Sequence, residues 1–211
     1  MIFLPLSFLF LIIFIFLLPL LFFFIQIGIV GAAFTKLGLS PKMALFVIFF
    51  SLLGSVINIP IARRTVYEGW SFFLSSSIPA EQILSINLGG AVIPLLVCAY
   101  LFPKAPIRAT IISTLVMIVV AKMLTRVVPG VGFTLPALIP PLVAAPLALI
   151  FARRNPAPVA YISGVLGTLI GADLLNLSKL ETVGASMVSI GGAGVYDGIY
   201  LVGIISVLLT F

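Results

Sequence analysis

The chain has 211 residues, 63% of them hydrophobic and 8% charged, with a mean hydropathy of +1.40. Soluble domains carry about 25% charged residues, so these values exclude an ordinary soluble domain and predict an integral membrane protein. The net charge of +6 comes from eleven Lys and Arg scattered in ones and twos, without the basic patch or stripe of a nucleic-acid binder. The lipid bilayer, and no nucleic acid, is therefore the expected partner.

Histidine is absent and Cys98 is the only cysteine. That removes His-based triads, His general bases, His-ligated zinc and internal disulfides. No metal and no cofactor is called for. The apolar runs are long and continuous, unlike the roughly 10-residue alternating strands of outer-membrane barrels. The expected fold is an all-α, single-domain, polytopic transmembrane bundle over residues 1–211, in the cell membrane.

Residues 1–33 are almost wholly apolar, and twelve of the eighteen phenylalanines fall before residue 51. With no Lys or Arg before Lys36, the run lacks the charged start of a signal peptide and reads as a retained first helix. A second run covers 43–62, with Gly54, Asn58 and Pro60, and Arg63 and Arg64 close it. Residues 65–79 form the main polar interruption, read as a loop with a surface helix or re-entrant element as alternatives. Tyr67 and Trp70 there suit a headgroup layer.

The third run, 81–102, carries Asn87, Gly89, Gly90 and Pro94, and the fourth spans 107–126. The fifth, 131–152, holds Pro136, Pro140, Pro141 and Pro146, each removing a backbone donor. Such a helix is expected broken, a state tolerated at membrane depth only against protein or a cavity. The sixth covers 157–177 and the seventh 184–211. Seven spans result, with six or eight as alternatives.

Turns after the first, third and fifth helices hold six basic residues (Lys36, Lys42, Lys104, Arg108, Arg153, Arg154) and no acid. The other side holds five (Arg63, Arg64, Lys122, Arg126, Lys179) with Glu68, Glu81 and Glu181. Six against five favours a cytoplasmic side for the first set only narrowly. An internal repeat is also visible. LLGSVINIP (52–60) matches LIGADLLNLS (169–178), and SINLGGAVIP (85–94) matches SIGGAGVYDG (189–198), so helices two and three mirror six and seven. Such repeats commonly frame a site at mid-membrane.

Two acids stand inside apolar, glycine-rich runs: Asp173 and Asp197. A charge at the centre of a membrane helix costs about 2.5–3.5 kcal/mol even on the lenient insertion scale, so both are expected to face protein, a cavity or water. Gly164, Gly167 and Gly171 line one face of helix six, where a neighbouring backbone can approach; Asp173 and Asn176 share another. Tyr196 and Tyr200 flank Asp197 as possible donors.

Four readings remain open for the acids. They are structural groups bonded to Asn58, Asn87 or a serine, or a paired-carboxylate hydrolase in which one acid activates water and the other protonates the leaving group. They are otherwise the ligands of a proton- or cation-coupled transporter, or belong to a membrane adaptor that docks through 65–79.

The set NIPI (58–61), INLGGAVIP (86–94), GADLLNL (171–177) and GAGVYDGIYL (192–201) resembles a prokaryotic family of multi-pass membrane proteins known as a domain of unknown function (1614), from about residue 40 onward. That resemblance implies no activity. Tyr196-Asp197, Gly171-Ala172-Asp173 and Pro136-Ala137-Leu138 together resemble the signatures of presenilin and signal-peptide-peptidase intramembrane aspartyl proteases. It implies a catalytic pair of Asp173 and Asp197, packing by Pro136, Ala137 and Leu138, and a transmembrane peptide substrate. The order differs from that family's, since PAL comes first here, and Ile170 and Ala172 replace its glycines.

Overall fold

The structure, a computed structural model, describes residues 6–68, 78–192 and 198–210. Seven α-helices dominate: α1 (Leu6–Lys36), α2 (Pro41–Gly54), α3 (Ile93–Leu101), α4 (Ile107–Leu124), α5 (Ile139–Phe151), α6 (Pro156–Thr168) and α7 (Gly198–Leu208). A π-helical turn, Leu88–Val92, leads into α3, and a 3-10 turn, Phe102–Lys104, ends it. The α6 helix continues through a π segment, Leu169–Asp173, and a 3-10 stretch, Leu174–Val183.

Two small sheets accompany the helices. Strands β1 (Asn58–Glu68) and β2 (Ile78–Asn87) pair antiparallel, and β5 (Met187–Ile190) adds to β2 in parallel. Strands β3 (Arg126–Val128) and β4 (Gly132–Thr134) form a separate hairpin. The all-α expectation is corrected accordingly. The end of the second apolar run, and the starts of the third and the seventh, are strands rather than helix. Pro60 explains part of this, because it donates no ladder hydrogen bond and the register slips between Pro60 and Ala62, the kind of irregularity where sheets accept proline.

Among the described residues, three helices are long and apolar enough to cross a membrane: Leu17–Lys36, Ile107–Leu124 and Pro156–Val183. The other apolar helices are shorter, Pro41–Gly54, Leu88–Lys104, Ile139–Phe151 and Gly198–Leu208. At 1.5 Å per residue a 14-residue helix reaches about 21 Å, short of a hydrocarbon core of about 30 Å. Seven full-length spans are thus not what the helix lengths give. The prolines of the fifth run do not break a helix at mid-depth either. Pro140 and Pro141 occupy the first turn of α5, where a missing N–H costs nothing, Pro136 precedes the helix, and only Pro146 lies inside it.

The helices share a common pair of ends. At one end Tyr100 Oη donates to Gly38 O (3.5 Å), Asn155 Nδ2 to Lys104 O (3.0 Å), and Lys36 Nζ caps the carbonyls of Val207 and Thr210. These contacts gather the α1–α2, α3–α4 and α5–α6 turns with the end of α7. At the opposite end Lys122 Nζ donates to Leu175 O (2.5 Å) and Asn176 Oδ1 (2.7 Å), and there both sheets sit. The six basic residues grouped from the sequence therefore carry one end, and the sheet carries the other.

The α6 span is the central helix, 72% buried against 28% for α4 and 11% for α1. Its Tyr161, Ile162 and Val165 pack with Phe34 of α1, Val97, Cys98 and Leu101 of α3, and Tyr200 and Ile204 of α7. Gly167 and Gly171 face α4: a Cβ on Gly171 would stand 2.4 Å from Ile118 O, and one on Gly167 2.3 Å from Met117 Cβ. Gly164 faces Val202 and Ser206 of α7 instead. Half of the proposed repeat has a physical counterpart, since Ser85-Ile86 and Ser189-Ile190 lie side by side in parallel register. Each of these strands is followed by a helix running to the basic end. The other half has none, because 58–60 is strand whereas 169–178 is helical.

Replacing Gly171 with valine should force α4 and α6 apart and cost about 1–3 kcal/mol, as overpacking does. Gly28→Ala, with nothing within 4 Å of the new Cβ, should not destabilise. Thermal unfolding of the detergent-solubilised variants measures both.

Candidate functional site

The polar residues that matter gather where the sheet meets the helix ends. Asn87 closes β2 and caps the π turn leading into α3: its Oδ1 accepts from Gly90 N at 2.7 Å. Its Nδ2 donates to Ser55 O (2.7 Å) and to Asn58 Oδ1 (3.0 Å). Ser189 Oγ of β5 donates to the same Asn58 oxygen at 2.6 Å. One side-chain amide thus ties the end of α2, the start of β1 and the start of α3 together, and Asn58 extends the tie to β5. Asn87 is 2% exposed, so its bonds are made where an unpaired polar group is costly.

Asp173 joins this knot from the helix side. It ends the π segment of α6, and its Oδ2 accepts from Gly191 N at 3.2 Å. Gly191 has φ +68, a backbone state that favours glycine, and a Cβ there would stand 2.5 Å from Ala91 Cβ. Both the turn and the tight approach to the other strand–helix unit therefore require glycine at this position. The turn brings the Gly191 amide to the carboxylate and starts the segment that leads to Asp197.

A polar pocket of about 160 Å³ opens beside Asp173, lined by Asn58, Ser189, Gly191, Gly192 and, across from them, Val131, Gly132 and Phe133. Those last three come from the β3–β4 hairpin, which is fastened by Gly130 N to Val183 O (2.6 Å) and by packing of Val127 and Phe133 on Leu180, Val183 and Val188. Gln82, buried in β2, donates to Leu180 O and Ala185 O at 3.1 and 3.0 Å and holds the intervening turn against the sheet. The Asn58 oxygen is taken by two donors, so its NH₂ is what it can still offer a ligand.

Of the residues expected at the site, Asp173 and Asn58 line the pocket and Asn87 supports it from behind. Asn176 is buried at 2% exposure and stitches the helix irregularity, its Nδ2 donating to Ala172 O (2.8 Å) and Gly171 O (3.3 Å) while its oxygen accepts from Lys122. Tyr200 lies in the helical core, its ring 6.4 Å from that of Phe34. Asp197 and Tyr196 lie outside the described residues. Pro136, Ala137 and Leu138 are exposed, Leu138 at 63%; the pocket wall is built instead by the residues just before them. The pocket beside Asp173 sits at the sheet-bearing end of the bundle.

Sequence reasoning missed Ser189, Met187 and the 131–133 hairpin as wall residues. Ser189 had a signal, its match to Ser85 in the repeat. The hairpin was hidden within an apolar run.

A mostly helical chain with, among the described residues, three helices long and apolar enough to cross a membrane and a polar pocket beside Asp173 defines a class, a multi-helix membrane-type protein, without naming a reaction. Known proteins narrow it one step. A family model described as "Protein of unknown function (DUF1614)" matches residues 52–209, and the chain belongs to that family. No curated protein and no solved structure matches it. The resemblance to presenilin-type proteases thus finds no support among known proteins, and its PAL element does not pack beside Asp173.

Asn87→Ala should strand buried partners and cost about 1–3 kcal/mol. Asn87→Asp keeps the cap on Gly90 but turns an acceptor toward Ser55 O and Asn58 Oδ1. It should melt at least as low as the alanine variant, a ranking read by thermal unfolding.

Proposed function

We propose that this protein is an integral membrane protein whose pocket at the sheet-bearing end performs hydrolysis with two carboxylates, Asp173 and Asp197. The observation that carries the reading is the 3.2 Å bond from Gly191 N to Asp173 Oδ2. It fastens the start of the glycine-rich segment that bears Asp197 onto the other acid, so only five residues (192–196) lie between the anchored amide and Asp197. Consecutive residues advance at most about 3.6 Å, so the chain allows at most about 22 Å between the Gly191 and Asp197 backbones, and the reading takes Asp197 to turn back toward the pocket.

Two acids sharing a site do not ionise independently: one proton is held between them, leaving a base and an acid at the same pH. The base takes a proton from water as it attacks a carbonyl, and the acid gives its proton to the leaving group. A pocket of about 160 Å³ holds a water, whose share of liquid is about 30 Å³, with room for an amide-sized group. Asn58 would offer its NH₂ to the carbonyl oxygen. The polar wall lies next to apolar helices, which favours a substrate delivered along the bilayer, such as a transmembrane peptide. That substrate class rests on the pocket's location, since the third protease signature is not at the site.

The same geometry disfavours a cation carrier. The Asn58 oxygen is already occupied by two donors, Asn87 Nδ2 and Ser189 Oγ, which leaves it less able to serve a cation.

The test is cleavage of transmembrane reporter peptides by purified protein in detergent. Asp173→Asn and Asp197→Asn should each lower the rate by at least about 100-fold, the lower range of acid–base contributions. Asp173→Asn retains an acceptor for Gly191 N–H, so its melting temperature should stay near that of the parent. If no reporter is cut while proton or cation flux into liposomes falls in Asp173→Asn, the site belongs to a transporter. If neither activity exists, the acids are structural.

A further inference from the structure

A second cavity shares no lining residue with the carboxylate pocket. It is an open groove of about 670 Å³ between α2 and α3, within the range of about 300–1,000 Å³ typical of small-molecule sites. Met43, Phe46 and Phe50 of α2 form one wall, Leu96 and Tyr100 of α3 the other, and Leu88 closes the sheet end. Its surface is almost wholly apolar. It follows α2 along its 14 residues, about 21 Å at 1.5 Å per residue. That exceeds the depth of one leaflet, about half of a 30 Å hydrocarbon core.

The two ends of the groove are not alike. At the sheet end it meets Ile57 and Leu88. At the other it meets Leu39 and Tyr100, where cations collect: Lys104 Nζ sits 3.6 Å from the Tyr100 ring centre, and Lys42 opens α2. Asn155 Nδ2, bonded to Lys104 O at 3.0 Å, brings the turn bearing Arg153 and Arg154 to the same end. Lys42, Lys104, Arg108, Arg153 and Arg154 are all exposed there. None of the five acids of the chain lies in these turns. At the sheet end, by contrast, Arg63 and Arg64 are matched by Glu81 and Glu181 at 3.6 and 3.1 Å. The mouth at Leu39 and Tyr100 therefore carries positive charge with no acid in the turns that form it.

We infer that the α2–α3 groove binds an anionic glycerophospholipid, with one acyl chain along the apolar walls and the phosphate between Lys42 and Lys104. Burial of the chain supplies affinity without specificity, because bulk lipid offers the same hydrocarbon. Selection of the headgroup comes from the cations. A lysine near an anionic lipid surface contributes about fivefold in affinity. Lys104 is placed for it, since its ammonium sits over the ring of Tyr100, a residue that lines the groove.

The test uses full-length protein in detergent, titrated with phosphatidylglycerol or with phosphatidylcholine of the same chains. Thermal unfolding and native mass spectrometry are the readouts. Phosphatidylglycerol should raise the melting temperature more than phosphatidylcholine and remain bound at higher collision energy. Lys104→Gln should remove about fivefold of that preference, with Lys42→Gln as the second variant if the first unfolds early. Lys179→Gln, at the other end, should leave it intact. Leu96→Trp, which fills the groove, should abolish stabilisation by both lipids. Equal stabilisation by the two lipids, or a preference that survives both Lys104→Gln and Lys42→Gln, overturns the inference. A dimer in lipid-free detergent that Leu96→Trp converts to monomer also overturns it, by assigning the groove to a second copy.

Discussion

The structure turns on a knot of polar groups at one end of an otherwise apolar bundle. Asn87 reaches three backbone or side-chain partners at 2.7–3.0 Å, Asn58 collects Asn87 and Ser189, and Asp173 takes the Gly191 amide. Buried polar groups left unpaired cost about 1–3 kcal/mol each, so the elements bearing these side chains have little freedom to separate. Four chain segments that are distant in sequence (the end of α2, the β2–α3 junction, the end of α6 and the β5 turn) are fixed relative to one another here. Hydrophobic packing among the helices is extensive, but apolar side chains can slide; directional bonds at the knot set the register.

This explains why the helices are interrupted where they are. Each of the two π segments ends or begins at a residue of the knot: Leu88–Val92 follows Asn87, and Leu169–Asp173 ends in the carboxylate. Single π turns inside α-helices are frequent at functional sites. The α6 span can hold such a break because Asn176 and Lys122 satisfy the carbonyls it exposes. Tight contact between Gly171 and α4 keeps that helix from straightening away.

Much of this was legible in the residues, and the losses have physical causes. Apolar helices long enough to cross a membrane, the turns at the basic end, the central place of helix six and the packing face of Gly167 and Gly171 follow from hydropathy and small-residue spacing. The sheet does not. Residues 58–62 and 83–87 adjoin apolar helices without a break in composition, and a short apolar run looks the same as strand or as helix end. Pro60 was the available clue, since proline among β-branched residues fits an irregular edge strand better than a helix. Asp173 was singled out because a carboxylate in an apolar run needs a reason, and its pocket supplies one. Pro136, Ala137 and Leu138 were carried by likeness of letters alone, and they lie exposed in the turn before α5.

The central claim is that the two acids share one pocket. Its most direct test is proximity, measured without assuming any reaction. In a Cys98→Ser background, Asp173→Cys and Asp197→Cys are combined and the membranes are treated with oxidant or a short bis-maleimide. The account predicts an intramolecular link that shifts mobility and is absent from either single variant. A double variant that folds, labels at both cysteines with a monofunctional maleimide and yet never links would show the carboxylates apart, and the two-acid mechanism would have no site.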